Sequence, residues 1–201
     1  MSGEWLKYVT PILGVLIGAW LAPYIESRKS KSESKHIINC FYTELEDLLK
    51  DLPQYTLKYF NVYKKVWNVE LNRIKDPSDF FPVSLPSKIE FLTIGSLTEK
   101  SFLELTRDQR KAVRALKLIS QGINERLAII SEKKEMNDFV ANKAALQTNT
   151  ESFAIFYYLI NRLCNEKERF IYTEETTEDA CKKALDALNI SFEFEWLVKN
   201  A

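Results

Sequence analysis

Few residues of this 201-residue chain have types and spacing suited to chemistry. The only histidine in the sequence, His36, forms a Glu-x-x-His pair with Glu33, which is half of a helical di-iron carboxylate motif. The other half would need a second histidine, and a Ser-His-Asp or Cys-His catalytic group would also have to use His36. Cys40, Cys164 and Cys181 lie far apart and form no C-x-x-C pair, so we expect no structural zinc site.

Phosphate and carboxylate chemistry is equally poorly represented in the sequence. Beyond the N-terminal region the only glycines are Gly95 and Gly122, too few for a phosphate-binding loop. Glu44, Asp47 and Asp51 fall on one helical face, which is typical of a solvated surface. We therefore expect no enzyme, no cofactor and no metal. An enzyme built from dispersed carboxylates and lysines remains a weaker hypothesis.

The best candidate for a binding site is a set of five basic side chains with helical spacing, here called the basic face. Its members are Arg107, Arg110, Lys111, Arg114 and Lys117. They span about 120° of a helical wheel, almost opposite an apolar stripe. Lipid headgroups, a nucleotide or nucleic acid, or an acidic partner would suit such a face. A solvated face balanced by neighbouring glutamates, or by the acidic run at residues 174–179, is the competing interpretation.

Overall composition restricts the classes of function. The 28 basic and 28 acidic residues balance, which argues against a protein that coats nucleic acid through a general basic excess. Aromatic and apolar residues are ample for a packed core, and five glycines with six prolines argue against an all-β fold. We therefore expect an all-α protein.

The element that dominates the N-terminus is an uncharged stretch at residues 8–25. As a helix it would cover about 27 Å, and tryptophan and tyrosine lie near both of its ends. The pattern predicts a transmembrane helix over residues 1–25 rather than a cleaved signal peptide, a core helix or an interfacial helix. Gly14, Gly18 and Ala22 recur every fourth residue, and such a small-residue strip favours close helix packing and a homo-oligomer.

Residues 26–35 form a basic polar connector that can continue the first helix. Its cations, placed to contact lipid headgroups, are Arg28, Lys29, Lys31 and Lys35. Only Lys7 precedes the stretch, so the charge asymmetry predicts an N-terminus outside and the remainder in the cytoplasm of an inner- or plasma-membrane protein.

Residues 36–201 have the apolar spacing of a helical domain with five or six helices. Pro53 interrupts the first pattern, which predicts either two helices or one long kinked helix. Residues 75–87 carry three prolines and predict a connection. Residues 152–164 are apolar, but they contain Asn161 and Arg162, so we expect a core helix there and not a second span.

Capping signals locate the later helices. Thr106 with Gln109, and Thr148 with Glu151, have the spacing of capping boxes. The acidic run at residues 174–179 suits the start of a last helix ending near Leu188. Residues 190–196 alternate in polarity and could form a short strand, for which the segment near Val83 is the one faint partner.

These features together predict a single-pass membrane-anchored protein. Its cytoplasmic helical domain would bind a partner protein or ligand and assemble at the membrane, for example as an oligomeric effector of a defence or toxin system. The alternative is a membrane-tethered sensor that binds a nucleotide or nucleic acid through the basic face.

Overall fold

A computed structural model describes the backbone of residues 4–97, 99–133 and 135–190. Within these ranges, side chains are described except for those of residues 4–14, 16, 99 and 100. The secondary structure of this part of the chain is helical, without a strand. The all-α prediction is therefore confirmed for the described residues.

The architecture is organised around one very long helix. Helix α1 runs over Glu4–Glu70, a rise of about 100 Å. The other helices are α2 (Pro77–Phe80), α3 (Glu99–Glu104), α4 (Arg107–Ser131), α5 (Met136–Ala141), α6 (Lys143–Glu166) and α7 (Thr177–Leu188). Short 3₁₀ turns follow at Ile94–Ser96 and Lys167–Arg169. The sequence did not predict α2, α3 and α5, because four to six residues are too few to show helical periodicity.

Helix α6 forms the centre of the bundle, where it packs against α1, α4 and α7. The rings of Tyr59 on α1 and Phe153 on α6 stack with centroids 4.5 Å apart. Phe153, Phe156 and Tyr157 are buried, which confirms the prediction that residues 152–164 form a core helix.

Of the two alternatives predicted at Pro53, two separate helices are excluded, because α1 continues through this residue without a break. Pro53 cannot donate a hydrogen bond to the preceding turn. Leu52 and Thr56 on either side of it are fully buried, and the Thr56 hydroxyl donates to the Leu52 carbonyl over 2.8 Å. Packing against the rest of the bundle therefore holds the helix together at this position.

Of the two predicted capping boxes, the one at Thr106 is confirmed and the one at Thr148 is wrong. Thr106 and Gln109 form the expected capping box at the start of α4, and Thr176 caps α7. Thr148 caps nothing, because α6 begins earlier, at Lys143. The Thr148 hydroxyl instead donates to the Ala144 carbonyl over 2.9 Å, a bond within the helix.

The N-terminal prediction needs correction. Among the helices as far as the structure describes them, none is both long and apolar enough to cross a membrane. This finding contradicts the predicted transmembrane helix, and with it the single-pass topology and the inner- or plasma-membrane localisation. Residues 8–14 and 16 of the uncharged stretch lie outside the described side chains.

The proposed C-terminal strand falls almost entirely on residues 191–196, which lie outside the described residues. Ile190, the last described residue, donates its backbone N–H to the Leu185 carbonyl over 3.0 Å and so closes the end of α7. Val83 lies in an irregular segment rather than a strand.

Candidate functional site

The basic face of α4 is formed as predicted, but several of its side chains are used within the molecule. Arg110 donates to the Leu105 carbonyl over 2.6 Å, at the turn between α3 and α4. Lys111 lies 3.7 Å from the Glu174 carboxylate and 5.7 Å from the Tyr172 ring centroid. Lys111 thus contacts the acidic run that the sequence offered as its complement.

The remaining members of the basic face are exposed and do not converge on a common point. The Arg114 guanidinium lies over the Phe102 ring, 5.4 Å from its centroid, and Arg107 and Lys117 are exposed. None of these five residues lines the cleft described below. Nucleotide binding by this face stays a prediction.

The first turns of α1 project away from the bundle. Burial along α1 begins at Ser30 and Ser34, near α3, whereas residues 17–29 are exposed. We call Val15 with residues 17–29 the projecting segment. Gly18 and Ala22 lie here, and a Cβ atom added to Gly18 would meet nothing within 4 Å. Gly14, the third member of the small-residue strip, lies outside the described side chains.

The cations predicted to contact lipid headgroups lie at or just beyond the base of the projecting segment. Lys29 pairs with Glu33 at 3.9 Å, and Arg28 lies over the Tyr24 ring, 4.6 Å from its centroid. Lys31 and Lys35 are exposed. The prediction that these four cations contact lipid headgroups depended on the transmembrane helix, which the structure contradicts.

The projecting segment carries a large apolar surface. Trp20 is 79% exposed and Val15 is 72% exposed. The other large apolar side chains exposed here are Ile17, Leu21, Tyr24 and Ile25. The side chains of Trp20 and Tyr24 alone expose on the order of 200–300 Å² to water. Contiguous apolar patches larger than a few hundred Å² mark interaction surfaces.

A cleft of about 610 Å³ lies where α1, the α3–α4 turn and the end of α6 meet, and we call it the polar cleft. Its apolar lining comes from Ile38, Leu105 and the Tyr42 ring. Its polar and charged lining consists of Lys35, Asn39, Thr43, Glu46, Glu104, Gln109, Lys167 and Glu168. This cleft could not be predicted from sequence patterns, because its residues come from three separate parts of the chain.

One buried amide organises the polar cleft. The Gln109 Nε2 group donates to the Tyr42 hydroxyl over 2.7 Å and to the Lys167 carbonyl over 3.0 Å. Burial raises the pKa of Tyr42 to about 12, so the hydroxyl keeps its proton at neutral pH. Because that hydroxyl already accepts from Gln109, its own proton is available for a further acceptor.

The backbone is strained at the same corner. Lys167 has φ 47° and ψ −116°, a conformation that a residue with a Cβ atom adopts rarely. The Lys167 carbonyl accepts a hydrogen bond from the Gln109 amide, and an ion pair of 3.5 Å joins the Lys167 ammonium group to Glu46. These two contacts therefore hold the strained turn that closes the polar cleft.

The polar cleft and the apolar projecting segment lie along one side of α1. Residues at intervals of three and four positions connect them, and we call this set the α1 stripe. Its members are Ile17, Trp20, Tyr24, Arg28, Lys31, Lys35, Ile38, Tyr42 and Glu46. This spacing keeps the residues on one helical face. The stripe was not predicted from the sequence, because residues 8–25 were assigned to a transmembrane helix and residues 26–35 to a connector.

The remaining candidates for chemistry have structural surroundings. The Glu44 carboxylate accepts from the backbone N–H groups of Leu92 and Thr93, over 2.6 and 3.0 Å, and so anchors a loop. His36 lies 3.7 Å from the Cys40 sulfur. Within the described residues, no group of three or more His, Cys, Asp or Glu side chains is arranged to hold a metal ion.

The chain matches no protein-family model, no curated protein and no solved structure. Its function must therefore be argued from its own surfaces.

Proposed function

We propose that this protein is a self-associating helical protein. The bundle acts as the body, and copies bind one another through the projecting segment of α1. One observation carries this proposal: six large apolar side chains are exposed together on a helix that extends beyond its bundle. Solvation of such a surface is unfavourable, so burial against a partner is the expected outcome.

The magnitude of the exposed area favours a specific contact. At about 25 cal/mol per Å², burying the surface of Trp20 and Tyr24 would contribute on the order of 5–7 kcal/mol for each copy. Association costs about 4–15 kcal/mol in lost freedom of motion. Contributions from both copies, about 10–14 kcal/mol, would reach the upper part of that range, whereas about 5–7 kcal/mol from one copy lies in its lower part.

This proposal differs from the sensor alternative in the observation behind it. Three of the five side chains of the basic face contact other parts of the molecule, whereas the described side chains of the projecting segment are all exposed. Self-association is therefore the function that the geometry supports better, and the assembled copies would present several bundles to a further protein partner.

Sedimentation velocity of the full-length protein tests the proposal directly. We expect the native chain to sediment as a species larger than its 23.4 kDa monomer at micromolar concentrations. Trp20→Glu should sediment as a monomer, because a carboxylate at the centre of the patch would have to be desolvated on association. Leu118→Glu is the matched control, since Leu118 is 68% exposed on α4 and should associate as the native chain does. A monomeric native chain would exclude the proposal.

A further inference from the structure

We infer that Trp20 of each copy occupies the polar cleft of a second copy, in an antiparallel pair of α1 helices. The inference rests on the proposed self-association and gives it a geometry. A second copy of this chain is the occupant because the α1 stripe carries both the group that inserts and the cleft that receives it.

The first step is the position of the two features along α1. Trp20 and the cleft residues Ile38 and Tyr42 belong to the α1 stripe and lie about 20 residues apart, or about 30 Å along the axis. A two-fold axis beside residue 30 would therefore place Trp20 of one copy opposite residue 40 of the other. By the same symmetry, Trp20 of the second copy lies opposite the polar cleft of the first copy.

The chemistry of the cleft suits an indole ring. Ile38, Leu105 and the Tyr42 ring offer apolar contact, and about 610 Å³ leaves room for a large aromatic side chain. The indole N–H needs an acceptor when it is buried. The carboxylates of Glu46 and Glu168, which line the same cleft, provide that acceptor chemistry.

One opposite-charge contact forms across the antiparallel pair. Glu104 lines both the polar cleft and the groove beside Ser30 and Lys31, and it has no ion pair within the described part of the chain. In the antiparallel register, Arg28 of one copy lies opposite residue 32 of the other, near that glutamate. The same register sets Lys29 of each copy opposite Lys31 of the other, so charge does not select this arrangement over a parallel one. The antiparallel direction follows instead from the separation of Trp20 and the cleft along α1, because a parallel pair in register would not bring them together.

Two-fold symmetry makes the contact self-limiting. Each copy gives one tryptophan and one cleft, so a dimer fills both clefts and leaves none for a third copy. The receiving site is incomplete without the second chain.

The decisive experiment blocks each half of the contact separately and then mixes the variants. Trp20→Ala removes the inserting group, and Asn39→Trp fills the cleft from within its own chain. Each should weaken dimerisation at least roughly tenfold. The matched control is Asn61→Trp, which makes the same exchange at an exposed site about six turns further along α1. It should dimerise as the native chain does.

Mixing the two weakened variants tests reciprocity. The Trp20→Ala copy retains its cleft and the Asn39→Trp copy retains its Trp20, so a heterodimer has one intact contact. We expect dimers in the mixture at concentrations where neither variant dimerises alone. If the mixture forms no dimers, the inference is overturned. It is also overturned if Asn39→Trp dimerises as strongly as the native chain while Trp20→Ala dimerises more weakly.

The outcomes separate the inference from the proposed function. A native chain that stays monomeric, or that binds phosphatidylcholine vesicles only as a monomer, would overturn both. If the native chain dimerises and Asn39→Trp dimerises equally strongly, only the inference is overturned and the proposed function stands. Circular dichroism checks that each variant keeps its helix content, and Thr43→Trp, one turn further along the cleft, repeats the test if Asn39→Trp folds poorly.

Discussion

At the scale of single residues, two buried amides connect parts of the chain that are distant in sequence. Gln109 joins the α1 hydroxyl of Tyr42 to the corner at Lys167. In the core, Asn149 is fully buried and accepts from Arg126 Nε over 2.6 Å. Buried groups of this kind need partners from distant parts of the chain. Their positions therefore depend on the fold and could not be assigned from the sequence.

The strained corner at Lys167 gives a prediction at this scale. Replacing Lys167 by glycine should raise the free energy of unfolding by about 1 kcal/mol, because glycine adopts a positive φ without steric cost and ordinary residues do not. Urea denaturation followed by circular dichroism would measure the difference. Lys167→Ala is the control, since it also removes the exposed ion pair with Glu46 but keeps the Cβ atom. Equal stability of the glycine and alanine variants would show that the corner is not strained.

At the scale of elements, short sequence patterns predicted the features that short-range interactions determine. The Thr106 capping box was predicted from the side-chain hydrogen bonds that its spacing allows, and the start of α7 from acidic residues that favour a helix N-terminus. The choice between one helix and two at Pro53 could not be made from the sequence, since it depends on burial against other helices. The same limit explains Thr148, whose pattern fits a cap but whose backbone lies inside α6.

The lost hydrogen bond at Pro53 can be measured. Pro53→Ala should stabilise the protein by about 1–3 kcal/mol, because it restores a donor inside α1 and removes a steric clash with the preceding turn. Thermal unfolding would show a higher midpoint. Pro77→Ala is the control, because Pro77 is the first residue of α2, where proline is favourable. It should leave the midpoint unchanged or slightly lower.

At the scale of the whole molecule, the sequence predicted the class of fold but not its surfaces. Helical periodicity was sufficient for an all-α bundle, and the buried faces of α4 and α6 follow that pattern. The uncharged N-terminal stretch was assigned to lipid because its composition alone resembles a spanning segment. The polar cleft needs the meeting of α1, α4 and the end of α6, which no local pattern encodes.

Self-association should also couple to folding. A partner that binds only the folded chain stabilises it by mass action, so the midpoint of thermal unfolding should rise with protein concentration. We expect this rise for the native chain and for Leu118→Glu, measured by differential scanning calorimetry over a wide range of concentrations. Trp20→Glu should show a midpoint that does not change with concentration, because its patch no longer binds a second copy. Trp20 lies on the exposed projecting segment, so its replacement should leave the bundle core intact. A native midpoint independent of concentration would contradict assembly by folded chains, whereas a midpoint that rises equally in Trp20→Glu would place the interface elsewhere.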